Sequence, residues 1–143
     1  MNREAGPRFS FELLGASHRV AERLEAALEP LSLSLAKFGA LSKLVAAGEP
    51  LPLSTLAARC ACVRSNITQL VDRLEAEGLV ARADDPKDRR SIRAELTEEG
   101  RRRQAAGVRA IEKAEREMLA HVSKPKQEAL LELLQALRAE SNP

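Results

Sequence analysis

The stretch from Ser65 to Gly100 constrains this chain most. Within it Ile67, Leu70, Val71 and Leu74 recur at i, i+3, i+4 and i+7, the spacing of one buried face on an α-helix. Gly78 follows, where a left-handed residue ends a helix. Leu79–Arg82 and Ile92–Leu96 then read as two short strands. The tip between them, Asp84-Asp85-Pro86-Lys87-Asp88-Arg89-Arg90, is polar and holds a proline, as a turn should. Thr97 is placed to cap a further helix whose first turn carries Glu98 and Glu99, which complement the helix dipole.

Helical periodicity continues on both sides. Residues 1–8 are expected to fray. Leu13, Leu14, Val20, Leu24, Ala27 and Leu28 mark a helix over about Ser10–Glu29, broken at Pro30. A second covers Ser34–Ala47, with Phe38, Leu41, Leu44 and Val45 on one face. Gly48-Glu49-Pro50 ends it. Ser54 is the expected N-cap of a short helix from Leu56 to Cys60, and Ala61-Cys62-Val63 turns the chain into the Ile67–Leu74 helix. After Thr97 a long helix runs to about His121, weakened at Gly100 and Gly107 by about 1 kcal/mol each relative to Ala. Ser123-Lys124-Pro125 restarts a last helix with Leu130, Leu131, Leu134 and Leu137 on its stripe. The pattern predicts a mainly α fold with a small β-wing, a winged helix-turn-helix.

Aromatic residues make up only 2% of the 143, with no Trp and no Tyr. The core must come from Leu, Ala and Val, and the scarcity of aromatics argues against a stacking surface for single-stranded nucleic acid. A net charge of +2 says little, but its placement says more. From Pro52 to Val71 the only charges are Arg59 and Arg64. From Ala81 to Arg93, five Arg or Lys face three Asp. Both windows suit phosphates. No apolar run is long enough for a membrane span, and the N-terminus lacks a signal-peptide core. Cys60 and Cys62 are too few and too close to staple a fold, so a cytoplasmic chain with reduced thiols is expected.

In a helix-turn-helix the start of the second helix reaches base edges. Here that start holds Arg64, Ser65, Asn66, Thr68 and Gln69, with Arg73 further along the same outer face. Arg can bond guanine, Asn and Gln can pair with adenine, and Thr can touch a thymine methyl. Ser65 and Thr68 are equally suited to phosphates. On the wing, Lys87, Arg89 and Arg90 offer cations to a narrow minor groove. Asp88 beside them fits a partner that orients an arginine. The competing readings are a solvated helix face and a generic charged turn.

The chain resembles the MarR (multiple antibiotic resistance regulator) family of transcription regulators from about Phe11 to Ala139. The resemblance rests on Arg64-Ser65-Asn66-Ile67-Thr68, Leu70-Val71-Asp72-Arg73-Leu74-Glu75, Gly78-Leu79-Val80, Asp88-Arg89-Arg90 and Leu96-Thr97-Glu98-Glu99-Gly100. It implies a homodimer, triangular in outline, that binds pseudo-palindromic double-stranded DNA, with Arg90 entering the minor groove, Asp88 steadying it and Arg89 meeting phosphate. It also implies a dimerisation lobe from residues 1–32 and 104–143 and a DNA-binding lobe from 33–103. Two departures stand out. Val63 replaces the usual capping Ser, which forgoes about 1 kcal/mol. Cys60 and Cys62 occupy positions that are usually aliphatic, and Cys62 is placed to pack on Ile67.

Relatives of this kind are released by a small-molecule effector or by cysteine oxidation. Cys60 and Cys62, near Arg59 and Arg64, fit a redox switch; as helical core positions they fit inert packing equally. His18, Arg19 and Phe38 are candidates to line a ligand cleft, or are interface and packing residues. Two histidines with scattered acids make no metal spacing, and no cofactor is implied. Groupings for catalysis are missing, so an enzyme is not expected. The expected function is a DNA-binding repressor; the alternative is a winged-helix interaction or ligand-binding module without DNA.

Overall fold

The computed structural model describes residues 7–61 and 64–140. Elements run α1 (Arg8–Leu28), a 3-10 turn (Glu29–Leu31), α2 (Leu35–Ala47), β1 (Leu51–Pro52), α3 (Leu53–Arg59), α4 (Arg64–Ala76), β2 (Val80–Asp85), β3 (Asp88–Leu96), α5 (Glu98–Met118) and α6 (Lys124–Glu140). The three strands form one antiparallel sheet in the order β1-β3-β2. The mainly helical fold with a small wing is therefore as the pattern predicts. The chain divides into two compact units, residues 1–111 and 112–143.

The core of the first unit is almost wholly aliphatic. Leu28, Leu41, Leu56, Ile67, Val71, Leu74, Leu79 and Ala94 are fully buried, and Leu33, Leu44, Leu51, Leu70 and Val80 nearly so. Each such Leu or Ile contributes about 1.5–3 kcal/mol when taken from water. α2 begins at Ser34, whose side chain accepts the Lys37 N–H at 3.1 Å, and ends at Gly48 with φ 68°. Its N-terminus is also held from α1, where Glu25 Oε1 accepts the Leu35 N–H at 3.0 Å. On α5, Arg103 Nη1 donates to the Leu31 carbonyl at 2.9 Å, and Gln104 lies 3.3 Å from the Ser42 hydroxyl.

The α5 glycines are contact residues rather than weak points. A Cβ at Gly100 would lie 2.0 Å from the Leu79 carbonyl oxygen, and one at Gly107 would lie 2.7 Å from the Phe38 ring. The helix gives up propensity to let the wing base and Phe38 approach. Thr97 caps α5 as expected, its hydroxyl accepting the Gly100 N–H at 3.0 Å and donating to the Gly78 carbonyl at 2.7 Å. Hydrogen bonds from Arg102, then from Arg103, hold the Glu99 carboxyl below its ordinary range.

In the second unit Gln127 closes the end of α5. Its Nε2 donates to the carbonyls of Val122 at 2.8 Å and Leu119 at 3.3 Å, just past the helix end, where the Leu119 carbonyl also accepts the Val122 N–H at 2.9 Å. Leu131 and Leu133 of α6 are 56% and 65% exposed, and Phe9, Phe11 and Leu14 of α1 are 64–67% exposed. The amphipathic stripe expected on α1 forms, yet only Leu28 of it is buried. No helix among the described residues is long and apolar enough to cross a membrane.

Several boundaries differ from the sequence reading. α1 begins at Arg8 rather than Ser10, and residues 1–6 lie outside the description. Ser54 is inside α3, not its cap. Pro52, with φ −54°, leads straight from the bridge of Leu51 with Ala94 into the helix. That two-residue strand carried no periodic signal. The wing strands are longer than expected and the turn shorter, just Pro86 and Lys87. Backbone pairing continues through charged residues because a ladder needs no apolar side chains. Asp88, Arg89 and Arg90 thus lie on β3 rather than in a loop.

Gly100→Ala should destabilise the fold by about 3 kcal/mol through overpacking against a carbonyl. Gly39→Ala, where an added Cβ meets nothing within 4 Å, should stabilise it by about 1 kcal/mol. Urea unfolding of both variants checks the contrast. Because the Glu99 carboxyl is depressed, its contribution is present above the ordinary carboxylate range and fades as pH falls through the folded value. Thermal melts of Glu99→Gln should therefore lie below wild type near neutral pH and converge with it in acid.

Candidate nucleic-acid interface

α4 is amphipathic in the structure as in the sequence. Ile67, Leu70, Val71 and Leu74 face the core, while Asn66, Thr68, Gln69, Asp72 and Arg73 are exposed. Leu56 and Ala57 of α3 are buried in the same core. The turn leaving α3 passes Ala61 at φ 53°, a left-handed conformation for a residue with a Cβ. Cys60 is half-buried and packs against the core. Cys62 and Val63, and with them the missing cap and the packing expected on Ile67, lie outside the described residues. So do the side chains of Arg64 and Ser65.

The C-terminal end of α4 is a full Schellman stop. The Leu79 N–H donates to the Leu74 carbonyl at 2.9 Å and the Gly78 N–H to that of Glu75 at 3.0 Å, with Gly78 at φ 73°. Leu74 and Leu79, both fully buried, supply the accompanying apolar contact. Two cations hold the same end from outside through three ion pairs. Lys37 of α2 reaches Glu77 at 2.9 Å across a half-buried contact. Arg82 of β2 bridges Glu75, at 2.9 Å, and Asp72, and its backbone N–H donates to Glu75 Oε2 at 3.1 Å. Hydrogen bonds to Asp72 first, then to Glu75, outweigh desolvation and raise the Arg82 pKa above its already high ordinary value.

The wing is a two-stranded ribbon pairing Arg82 with Ala94, Ala83 with Arg93 and Asp84 with Ile92, with a bulge at Asp84/Asp85. Side chains alternate along β3. Up to the irregular step Ile92 shares a face with the buried Ala94, and Arg89, Arg90 and Ser91 fall within that step, between Ile92, which pairs with Asp84, and Asp88, which pairs with Asp85. The tip is closed by carboxylates acting on backbone: Asp85 Oδ1 accepts the Lys87 N–H at 2.9 Å, and Asp88 Oδ1 accepts the Arg90 N–H at 3.0 Å. Asp88 thus orients Arg90 through the main chain rather than through its guanidinium. Lys87, Asp88, Arg89 and Arg90 are all exposed.

The residues considered for sensing do not converge. His18, on α1, is 75% exposed with Nε2 3.2 Å from Glu22. It borders an open pocket of about 590 Å³ with Ala21, Glu22, Glu25, Ala26, Glu29 and Leu33. Arg19 is exposed outside that lining. Phe38 is taken up in packing beside Leu33 and Gly107. Among the described residues no three His, Cys, Asp or Glu are grouped to hold a metal ion.

The sequence model of the MarR family matches residues 33–92, the span that carries α2 to the wing. The uncharacterized HTH-type transcriptional regulator YkoM of Bacillus subtilis is 39% identical over 64 residues, 45% of this chain and 41% of YkoM. A probable transcriptional regulator from Pseudomonas aeruginosa, known from its crystal structure, is 31% identical. It superposes with a TM-score of 0.79 over 90% of this chain and 95% of that one. The chain belongs to the MarR family.

Another structural relative, the transcriptional repressor CouR of Rhodococcus jostii RHA1, was solved bound to a 23-mer DNA duplex. It is 28% identical with a TM-score of 0.83, covering 90% of this chain and 91% of CouR. The chain spans under half the length of the curated relatives it matches, 41% and 46%. Within this MarR-family frame, the sequence reading placed the outer face of α4 and the wing cations correctly on exposed surface. It missed Arg82 and Lys37, and it gave Asp72 no role, although Arg82 pairs with it. The only available signal was charge: Asp72 and Glu75 carry two negative charges on a helix otherwise suited to phosphates.

Asp88→Ala should remove the acceptor for the Arg90 N–H and speed exchange of that amide about fivefold, the loss of about one hydrogen bond. Asp88→Asn keeps an acceptor oxygen and should exchange near the wild-type rate. Amide exchange read by NMR at Arg90 makes the comparison.

Proposed function

We propose that this chain is a DNA-binding transcription regulator, a repressor that grips a pseudo-palindromic duplex as a homodimer. The observation that carries the reading is the pairing of two exposed surfaces on one rigid frame. The outer face of α4 presents Asn66, Thr68, Gln69 and Arg73, and the ribbon presents Lys87, Arg89 and Arg90. Arg64 and Ser65 at the start of α4 belong to the same reading site. The helix meets base edges in the major groove, and Arg90 enters the minor groove while Asp88 holds its backbone and Arg89 meets phosphate. The MarR-family repressor CouR bound to its duplex supports this reading.

Residues 33–103 form the DNA-binding lobe. Residues 1–32 and 104–143 form the dimerisation lobe, in which a second copy covers the exposed leucines and phenylalanines of α1 and α6. Two recognition helices then stand about one DNA turn, roughly 34 Å, apart. The protein works in the cytoplasm, where its DNA is. A small-molecule effector is part of the reading, supported by the structure of CouR with p-coumaroyl-CoA.

A mobility shift on the DNA flanking the chain's own gene tests this. Specific binding should fall by about a thousandfold between 50 and 200 mM salt if six or so phosphates are neutralised. Arg90→Ala should cost about tenfold in affinity at fixed salt. A wild-type protein that shifts no duplex specifically at the lower salt sinks the proposal.

A further inference from the structure

Arg82 lies off the reading face, yet it is the strongest tie between the wing and α4. Its side chain is 25% exposed, its two guanidinium nitrogens engage two different carboxylates of the helix, and its backbone N–H engages one of them again. Ala94, its partner across the ribbon, is fully buried and pairs with Leu51 of β1, while Arg93, one step further out, pairs with Pro52. Ile92, the next residue on that face, is 45% exposed. Beyond the level of Arg82, the hydrogen bonds donated by ribbon residues stay within the ribbon among the described residues: Lys87 to Asp85, Arg90 to Asp88 and Arg93 to the Asp84 carbonyl. Arg82 therefore stands within one residue of the place where the ribbon leaves the body.

We propose that Arg82 is a positioning residue for DNA recognition, fixing the direction of the ribbon, and so the place of Arg90, relative to the reading face of α4. The inference rests on the DNA-binding reading above and adds a residue to it. A second effect follows from the same bonds: Arg82 neutralises Asp72 and Glu75, which would otherwise repel phosphates near the helix. Arginine is required because a planar fork can span two carboxylates, whereas a lysine ammonium serves as a single point charge. Arg82 acts through the wing and through these acids, with no contact to DNA of its own.

The test uses the full chain and a duplex that the wild type selects from random-sequence DNA. Arg82→Lys should lose about tenfold in affinity, the scale of one specific contact. Hydroxyl-radical protection at the minor-groove positions should disappear while methylation protection in the major groove persists. Adding Arg90→Ala to Arg82→Lys should weaken binding no further than Arg90→Ala alone, since both remove the same contact. Asp72→Asn with Glu75→Gln, which leaves Arg82 in place without its partners, should give the same loss of wing protection. It answers the question even if Arg82→Lys folds poorly. Wild-type affinity and footprint in that double variant, or losses from Arg82→Lys and Arg90→Ala that multiply, overturn the proposal. Failure of the wild type to select any duplex overturns the DNA-binding reading itself, and this inference falls with it.

Discussion

Much of the first unit depends on one corner, where Gly78 and Leu79 meet Thr97 and Gly100. The left-handed glycine closes α4, Leu79 fills the core behind it, and the Leu79 carbonyl accepts the Thr97 N–H at 3.2 Å. The Thr97 hydroxyl links two helix ends at once, accepting from the first turn of α5 and donating to Gly78, the residue that stops α4. The helix α4, the wing and the start of α5 thus share one small set of backbone bonds. Their relative directions are tied there because Leu79 is fully buried and has both its N–H and its carbonyl bonded to the protein.

Ion pairs outside that corner sort the charges of α4 by role. Its acidic residues toward the C-terminal end are drawn off by Arg82 and Lys37, which come from β2 and α2. What is exposed earlier along it, Asn66, Thr68 and Gln69, is polar and neutral. The helix is thereby divided into a half that holds the protein together and a half that faces outward. Surface pairs of this type add little to stability in general. Their larger effect here is geometric, because each one joins separate elements.

The parts legible in the sequence were those that report on themselves. The stripe of Ile67, Leu70, Val71 and Leu74, the stop at Gly78 and the cap at Thr97 each carry a local signature, and all three stand. β1 did not show because two residues with a proline have no period. The wing tip was drawn too long because charged residues were taken as loop, although strand pairing is made by backbone. Ser54 looked like a cap because capping was judged from residue type, while Pro52 had already set the start of α3. Gly100 and Gly107 looked like weak points because propensity ignores what approaches the helix from outside. Arg82 was invisible for a related reason: its partners lie seven and ten residues back, a separation that no periodicity marks.

The bulge at Asp84 and Asp85 has a consequence for how the protein behaves in a crowd. β2 is the outer strand of the sheet, and an outer strand exposes unpaired backbone groups that can recruit another chain. Here that edge is interrupted by an irregular step, lined by two aspartates and ended by Pro86, which has no N–H to offer. On the far side of the sheet the edge is only the two residues of β1. A ribbon that must project from the body to be useful is thus a poor template for self-association, and the protein can hold out a bare hairpin at high concentration without seeding an aggregate.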